Sequence, residues 1–240
     1  MDLTSEFNLE EKQAISMERI EEKYALEDEM LRAVSEGNLE AAAVALRKFA
    51  AFPNSRYRNT NLQTSKDAMV VLNTLLRKAV QNAEVHPAHI DYVSGKFAEK
   101  IRNTKSLAEL QRLNTEMARK YCLLVRSYSL KGYSALTQRT LNYIDFNITE
   151  ELSLSYIAEK LNVSRNHLSS HFKKEMGETI TDYINGKRIQ ESLKYLNATN
   201  LPVSDVALRV GMYDLNYFSR VFKKIMGMTP SQYRSMLQIK

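Results

Sequence analysis

The sequence predicts an all-α protein in two parts: a helical N-terminal module over residues 1–132, then two helix-turn-helix units joined by a long helix over residues 133–240. Three observations carry this expectation. Only 7 glycines and 4 prolines punctuate 240 residues, and most of them fall between segments whose apolar residues recur at helical spacing. No stretch alternates apolar and polar residues between frequent turn signals, as strands would. The C-terminal part contains a near-copy of itself at a separation that suits a compact helical unit.

Composition bounds the function classes. An apolar share of 44% in 27.6 kDa fills real cores and excludes disorder throughout. Lys+Arg 34 against Asp+Glu 28 leaves a charge of +6 and a pI of about 9.2, compatible with a polyanionic partner without requiring one. The single cysteine, Cys122, cannot form an internal disulfide, which points to the cytoplasm. The opening MDLTSEFNLEEKQ is acidic where a signal peptide needs a basic start. The longest small-apolar run, Ala41 to Leu46, is far short of the roughly 20 residues that cross a bilayer, so no membrane is expected as a partner. Residues 1–40 hold twelve acids and four bases, residues 41–134 sixteen bases and six acids; a solvated acidic face near a basic one accounts for this.

In the N-terminal module, Ile20, Tyr24, Met30, Leu31 and Val34 keep helical spacing, Gly37-Asn38 stops the helix, and Leu39, Ala42, Ala43, Leu46 and Phe49 start another. The result is an αα-hairpin whose alanine-rich second strip permits close packing. After Pro53 and a polar run, Met69, Val70, Leu72, Leu75, Leu76, Ala79 and Val80 mark a third helix that ends before Pro87. Two more run from Pro87 to about Arg102 and from Ser106 to about Leu130. Ser106 with Glu109 has capping-box spacing, and Thr104 is the other candidate cap. Gly132 then breaks the chain, at the expected domain boundary.

The repeat follows. Phe172, Lys173, Lys174, Met176, Gly177, Thr179 and Tyr183 match Phe222, Lys223, Lys224, Met226, Gly227, Thr229 and Tyr233, each pair 50 positions apart. Upstream the offset is 49: Ile157-Ala158 matches Val206-Ala207, Leu161 matches Val210, and Asn162 matches Gly211. Each copy thus has an apolar residue and an alanine, a turn residue four positions on, and a second helix soon after. That is helix-turn-helix spacing, at about 153–176 and 202–226, with a linking helix at about 181–197. The alanine must be small where the second helix crosses, and the turn residue needs a tolerance of positive φ. Ser153, Ser164 and Asp214 stand where N-caps belong, and Pro202 occupies in the second copy the place of Ser153 in the first, where its missing N–H costs little.

At 3.6 residues per turn, Leu168 and Phe172, like Phe218 and Phe222, face inward in the second helices. Asn166, Ser170 and Lys173, like Asn216, Arg220 and Lys223, then point outward, flanked by Ser169 and Ser219. These residue types suit base edges and phosphates: Arg forks onto guanine, Asn pairs with adenine, and Lys neutralises phosphate. Asn166, Ser169, Ser170, Asn216, Ser219 and Arg220 are the base-reading candidates. Ser164, Arg165, Lys173, Lys174, Lys223 and Lys224 are the phosphate candidates. One such helix would read as an ordinary wet face; the same set in two tandem units favours double-stranded DNA.

The runs SRNHLSSHFKKEMG and YINGKR in the first copy, and GMYDLNYFSRVFKKIMGMTPSQYR in the second, closely resemble the DNA-binding domain of AraC/XylS-type transcription regulators, over about Leu136 to Leu237. The resemblance implies a sequence-specific regulator, an activator that contacts RNA polymerase, whose two reading helices enter major-groove segments about one turn (roughly 34 Å) apart on an asymmetric site. The first reading helix departs from the family in its short side chains Asn166, Ser169 and Ser170, so it is expected to read fewer bases, with Arg220 dominant in the second.

The N-terminal half departs further, lacking the alternation of the β-rich sugar-sensing barrel that many family members carry. It is similar, more weakly, to the helical segment ahead of the DNA-binding domain in some of these regulators. Dimerisation or partner docking is weighed above a small-molecule pocket between helices, and no effector is assigned. His167 and His171, and His86 and His89, bring no third metal ligand. There is no phosphate-binding Gly-rich loop and no Gly-x-Ser-x-Gly, and Cys122 lacks the Pro-Cys-His setting of the methyltransferases joined to some domains of this type. No cofactor, metal or enzymatic activity is expected. The competing readings are a helical protein-interaction module tethered to DNA, and a non-specific architectural binder with steep salt dependence and little sequence preference.

Overall fold

The computed structural model describes residues 17–52 and 61–238, so the Pro53 break and the first part of the polar run after it lie outside the described residues. The chain divides into two compact units, residues 1–131 and 132–240. Every regular element among the described residues is an α-helix.

The first unit holds α1 (Met17–Ser35), α2 (Leu39–Ala51), α3 (Leu62–Asn82), α4 (Pro87–Asn103) and α5 (Leu107–Tyr128). Between α1 and α2 the Asn38 side chain accepts the N–H of Ala41 at 3.1 Å, capping α2. Ala42 and Ala45 are buried against the hairpin partner, which lets Met30, Ala33 and Val34 come close. Two residues of the expected stripes are exposed: Tyr24 by 59% and Val70 by 48%. Each stands six positions before a fully buried residue, Met30 or Leu76, which is roughly 120° round a helix of 3.6 residues per turn. Pro87 opens α4. Ser106, not Thr104, caps α5, accepting the Glu109 N–H at 3.2 Å. Thr104 instead closes α4, and the Glu109 carboxylate accepts from the Lys105 backbone N–H at 2.8 Å, one residue outside the expected box.

A buried polar chain ties three helices of this unit. The Tyr121 hydroxyl on α5 donates to Asn73 Oδ1 on α3 at 2.7 Å, and Asn73 Nδ2 donates to the Ser94 carbonyl on α4 at 3.2 Å. Around it pack Leu72, Leu76, Phe97, Ile101 and Met117. Between α3 and α4, Val85 forms an isolated antiparallel bridge with Ser129, whose hydroxyl donates to the Ala83 carbonyl at 2.5 Å.

The second unit runs through α6 (Ala135–Phe146), α7 (Leu154–Lys160), α8 (Arg165–Met176), α9 (Ile180–Ala198), α10 (Val203–Arg209), α11 (Leu215–Met226) and α12 (Pro230–Gln238). The long helix α9 buries Ile180 and Ile184 in its first half, where Tyr183 stands edge-on to Phe172 at 5.8 Å between ring centroids. Its second half buries Ile189 and Leu196 with Val206, Ala207, Phe218 and Phe222. There Tyr233 of α12 repeats the edge-on contact with Phe222, again at 5.8 Å. The repeating unit is therefore a helix-turn-helix plus the first turns of the helix that follows.

Candidate nucleic-acid interface

The two turns have the geometry that their spacing requires. Asn162 has φ 56 and Gly211 φ 75, the left-handed conformation that bends the chain between paired helices. Ala158 and Ala207 are 2% and 1% exposed beneath the crossing helices, and Leu168, Phe172, Phe218 and Phe222 are wholly buried. The Ser164 hydroxyl accepts the His167 N–H at 3.3 Å to cap α8. The Asp214 carboxylate accepts the N–H groups of Asn216 and Tyr217 at 2.8 and 3.0 Å to cap α11. Ser153 caps α7 in the same manner, while Pro202 leaves α10 without a side-chain cap.

With Leu168 and Phe172, and Phe218, Val221 and Phe222, committed inward, both second helices turn polar residues outward, beside the exposed Leu215, Tyr217 and Ile225 on α11. On α8, Arg165, Asn166, Ser169, Ser170, Lys173 and Lys174 are exposed, as is the cap Ser164. The Ser170 hydroxyl donates back to the Asn166 carbonyl at 2.8 Å, so in this arrangement it offers a ligand lone pairs and not its proton. On α11, Asn216, Arg220, Lys223 and Lys224 are exposed and Ser219 is half-buried. Lys224 leans on Asp182 of α9 at 3.5 Å. That carboxyl is held below the usual carboxylate range, first by the Thr179 hydroxyl and then by Lys224.

Two side chains beside Arg220 were not singled out by periodicity. Its guanidinium carbon lies 6.0 Å from the centre of the Tyr217 ring, and the Tyr217 hydroxyl accepts a hydrogen bond from Asn185 Nδ2 of α9 at 2.8 Å. A cleft lined by Asp182, Asn185, Gly186, Tyr217, Arg220 and Ile225 opens there between α9 and α11. The signal in the sequence was the repeat itself: Tyr217 occupies the position of His167, 50 residues earlier.

The remaining candidates for other chemistry have structural settings. His171 Nε2 lies 2.7 Å from the Ser134 hydroxyl, which donates to Glu175 at 2.7 Å, so the end of α8 is tied to the start of α6. Among the described residues no group of three or more His, Cys, Asp and Glu is arranged to hold a metal ion. Cys122 is buried in the first unit, and burial pushes its thiol up to about 11. No helix among the described residues is long and apolar enough to cross a membrane.

Residues 157–236 match the helix-turn-helix domain family. The bifunctional transcriptional activator/DNA repair enzyme AdaA of Bacillus subtilis is 40% identical over 94 residues, 39% of this chain and 44% of that protein. The chain thus spans less than half of that relative. The HTH-type transcriptional activator AarP of Providencia stuartii is 37% identical over 117 residues, 48% of this chain and 87% of that protein. Among solved structures, the C-terminal domain of the two-component response regulator yesN from Fusobacterium nucleatum is 37% identical, covering 42% of this chain and 99% of that one, with a TM-score of 0.41.

Proposed function

The chain belongs to the AraC/XylS-type transcription regulators and carries their DNA-binding helix-turn-helix domain, and from that premise we propose that it is a sequence-specific activator that reads an asymmetric site with both α8 and α11. The observation that supports the reading is the pair of polar faces on α8 and α11, set at matching positions of two helix-turn-helix units within one compact unit. Each helix enters a major groove, and the two grooves are successive ones on the same side of the duplex, about 34 Å apart.

In this reading Arg220 forks onto guanine O6 and N7, and Asn166 and Asn216 pair with adenine. Ser169, Ser170 and Ser219 make shorter contacts at the margins. Arg165, Lys173, Lys174, Lys223 and Lys224, with the Ser164 hydroxyl, hold phosphates and set the register. The short side chains of α8 make its half of the site the less selective. Activation through RNA polymerase is supported by the description of two relatives as activators. The helical unit of residues 1–132 serves dimerisation or partner docking, and the protein carries out no catalysis of its own.

Selection from a pool of random duplexes at physiological salt tests the reading, together with the mass of the selected complex. A two-part motif with its halves about one turn apart is expected. A complex of two chains would assign pairing to the N-terminal unit. An enriched motif of one part only, or a steep salt dependence with no enriched motif, overturns the two-reader mechanism.

A further inference from the structure

We infer that Arg188, Gly211 and the Ile148–Glu150 backbone form a lock between the two helix-turn-helix units, one that sets the half-site spacing the protein accepts. The inference rests on the two-reader mechanism for its DNA consequence, but the lock itself is a property of the free protein. Three consecutive carbonyls in the segment joining α6 to α7 are engaged from two directions. Arg188 of α9 donates from Nε to the Ile148 carbonyl at 3.0 Å and from Nη2 to the Glu150 carbonyl at 2.6 Å. The carbonyl between them, that of Thr149, faces the turn of the second unit. It accepts from the Tyr213 hydroxyl at 3.3 Å, and it lies 2.7 Å from where a Cβ on Gly211 would stand.

Arg188 is only 8% exposed, and a guanidinium so far out of water is tolerated because fixed acceptors meet it. The contact also explains a difference between the copies. The first unit uses Asn162 at its left-handed turn, whereas the second uses Gly211, because no side chain fits beneath the Thr149 carbonyl. With α9 alone the two units would be joined by a single helix and could turn about it. The lock adds a second attachment, from the approach to α7 to the turn before α11, and resists that rotation.

Duplex DNA converts such stiffness into selectivity. Moving one half-site by a base pair shifts it about 3.4 Å along the axis and roughly 35° around it. A rigid pair of readers then loses the base contacts of one half, roughly tenfold in affinity if one bidentate contact is forfeited.

The test uses the full chain. Spin labels on Ser155→Cys and Ser204→Cys, in the first turns of α7 and α10, report the distance between units without DNA. A narrow distribution that broadens in Arg188→Met is expected. A broad distribution in the parent, or one unchanged by Arg188→Met, overturns the lock. On the selected duplex, inserting or removing one base pair between the halves should weaken the parent about tenfold, and Arg188→Met by less than about threefold. Equal penalties for both proteins overturn the proposal. A narrow distribution that broadens as expected, in a protein that selects no two-part site, leaves the lock standing and removes the two-reader mechanism. Should Arg188→Met lose its helical signal, Tyr213→Phe removes only the exposed hydroxyl contact and should broaden the distribution to a smaller extent; no broadening there counts against the lock.

Discussion

The Glu175 carboxylate in the last turn of α8 accepts the backbone N–H of Ser134 at 2.7 Å. Ser134 is the N-cap of α6, so a negative charge from the end of α8 meets the unsatisfied donors and positive end of another helix. The Thr137 hydroxyl contributes most, with the Ser134 N–H and hydroxyl, to hold the Glu175 carboxyl down at about 2.

Because that value lies below the 4.5 of a free glutamate, Glu175 adds stability that is fully present above about pH 4.5 and is lost as pH falls toward 2. Glu175→Gln should therefore melt earlier than the parent at neutral pH, with the gap closing on acidification through that window. Thermal melts across it are the check. A gap that stays constant with pH would assign the loss to shape and not to charge.

Arg220→Ala should lower affinity for the selected site by about 1 to 3 kcal/mol and relax preference at one base pair. Lys173→Ala should weaken binding to all sequences alike and reduce the slope of affinity against salt by about one. Binding isotherms on selected and scrambled duplexes over a salt series separate the two. Equal losses on both duplexes for Arg220→Ala would show that it holds backbone and not base.

The two left-handed turns should respond unequally to exchange. Gly211→Asn, which installs the residue that the first unit uses, should destabilise by about 2 to 4 kcal/mol, since its Cβ meets the Thr149 carbonyl at 2.7 Å. Asn162→Gly should change stability by less than about 1 kcal/mol. Urea midpoints of the two variants decide, and similar shifts would mean that the Thr149 segment gives way.

In the first unit, Tyr121→Phe should cost about 1 to 3 kcal/mol, because it strands the buried Asn73 Oδ1 that the hydroxyl now satisfies at 2.7 Å. The urea midpoint of the variant reports it. A neutral result would mean that Asn73 finds water or another donor.

Much of the second unit was legible because its signals are local or repeated. A cap needs a hydroxyl or carboxylate within three residues of the N–H it accepts, so Ser164 and Asp214 could be read at once. The inner faces of α8 and α11 follow from helical period, and the match of Phe172 and Tyr183 to Phe222 and Tyr233 showed two copies of one arrangement. In the first unit the same periodicity placed the helices but overstated their buried stripes at Tyr24 and Val70, which lie roughly 120° round their helices from the fully buried Met30 and Leu76.

What the amino-acid sequence determined by itself is thus the all-α class, the caps, the paired helices α8 and α11 and their polar faces. These arise from interactions within about one helical turn, or from a comparison of the chain with itself. The tertiary structure alone decided that Arg188 grips Ile148 and Glu150, that Gly211 lies under Thr149, and that Glu175 meets Ser134. Those partners are 38 to 62 residues apart, and no spacing rule links them. An arginine, a glycine or a glutamate has the same local chemistry wherever it stands, and its partner is chosen by how the packed helices bring distant backbone together.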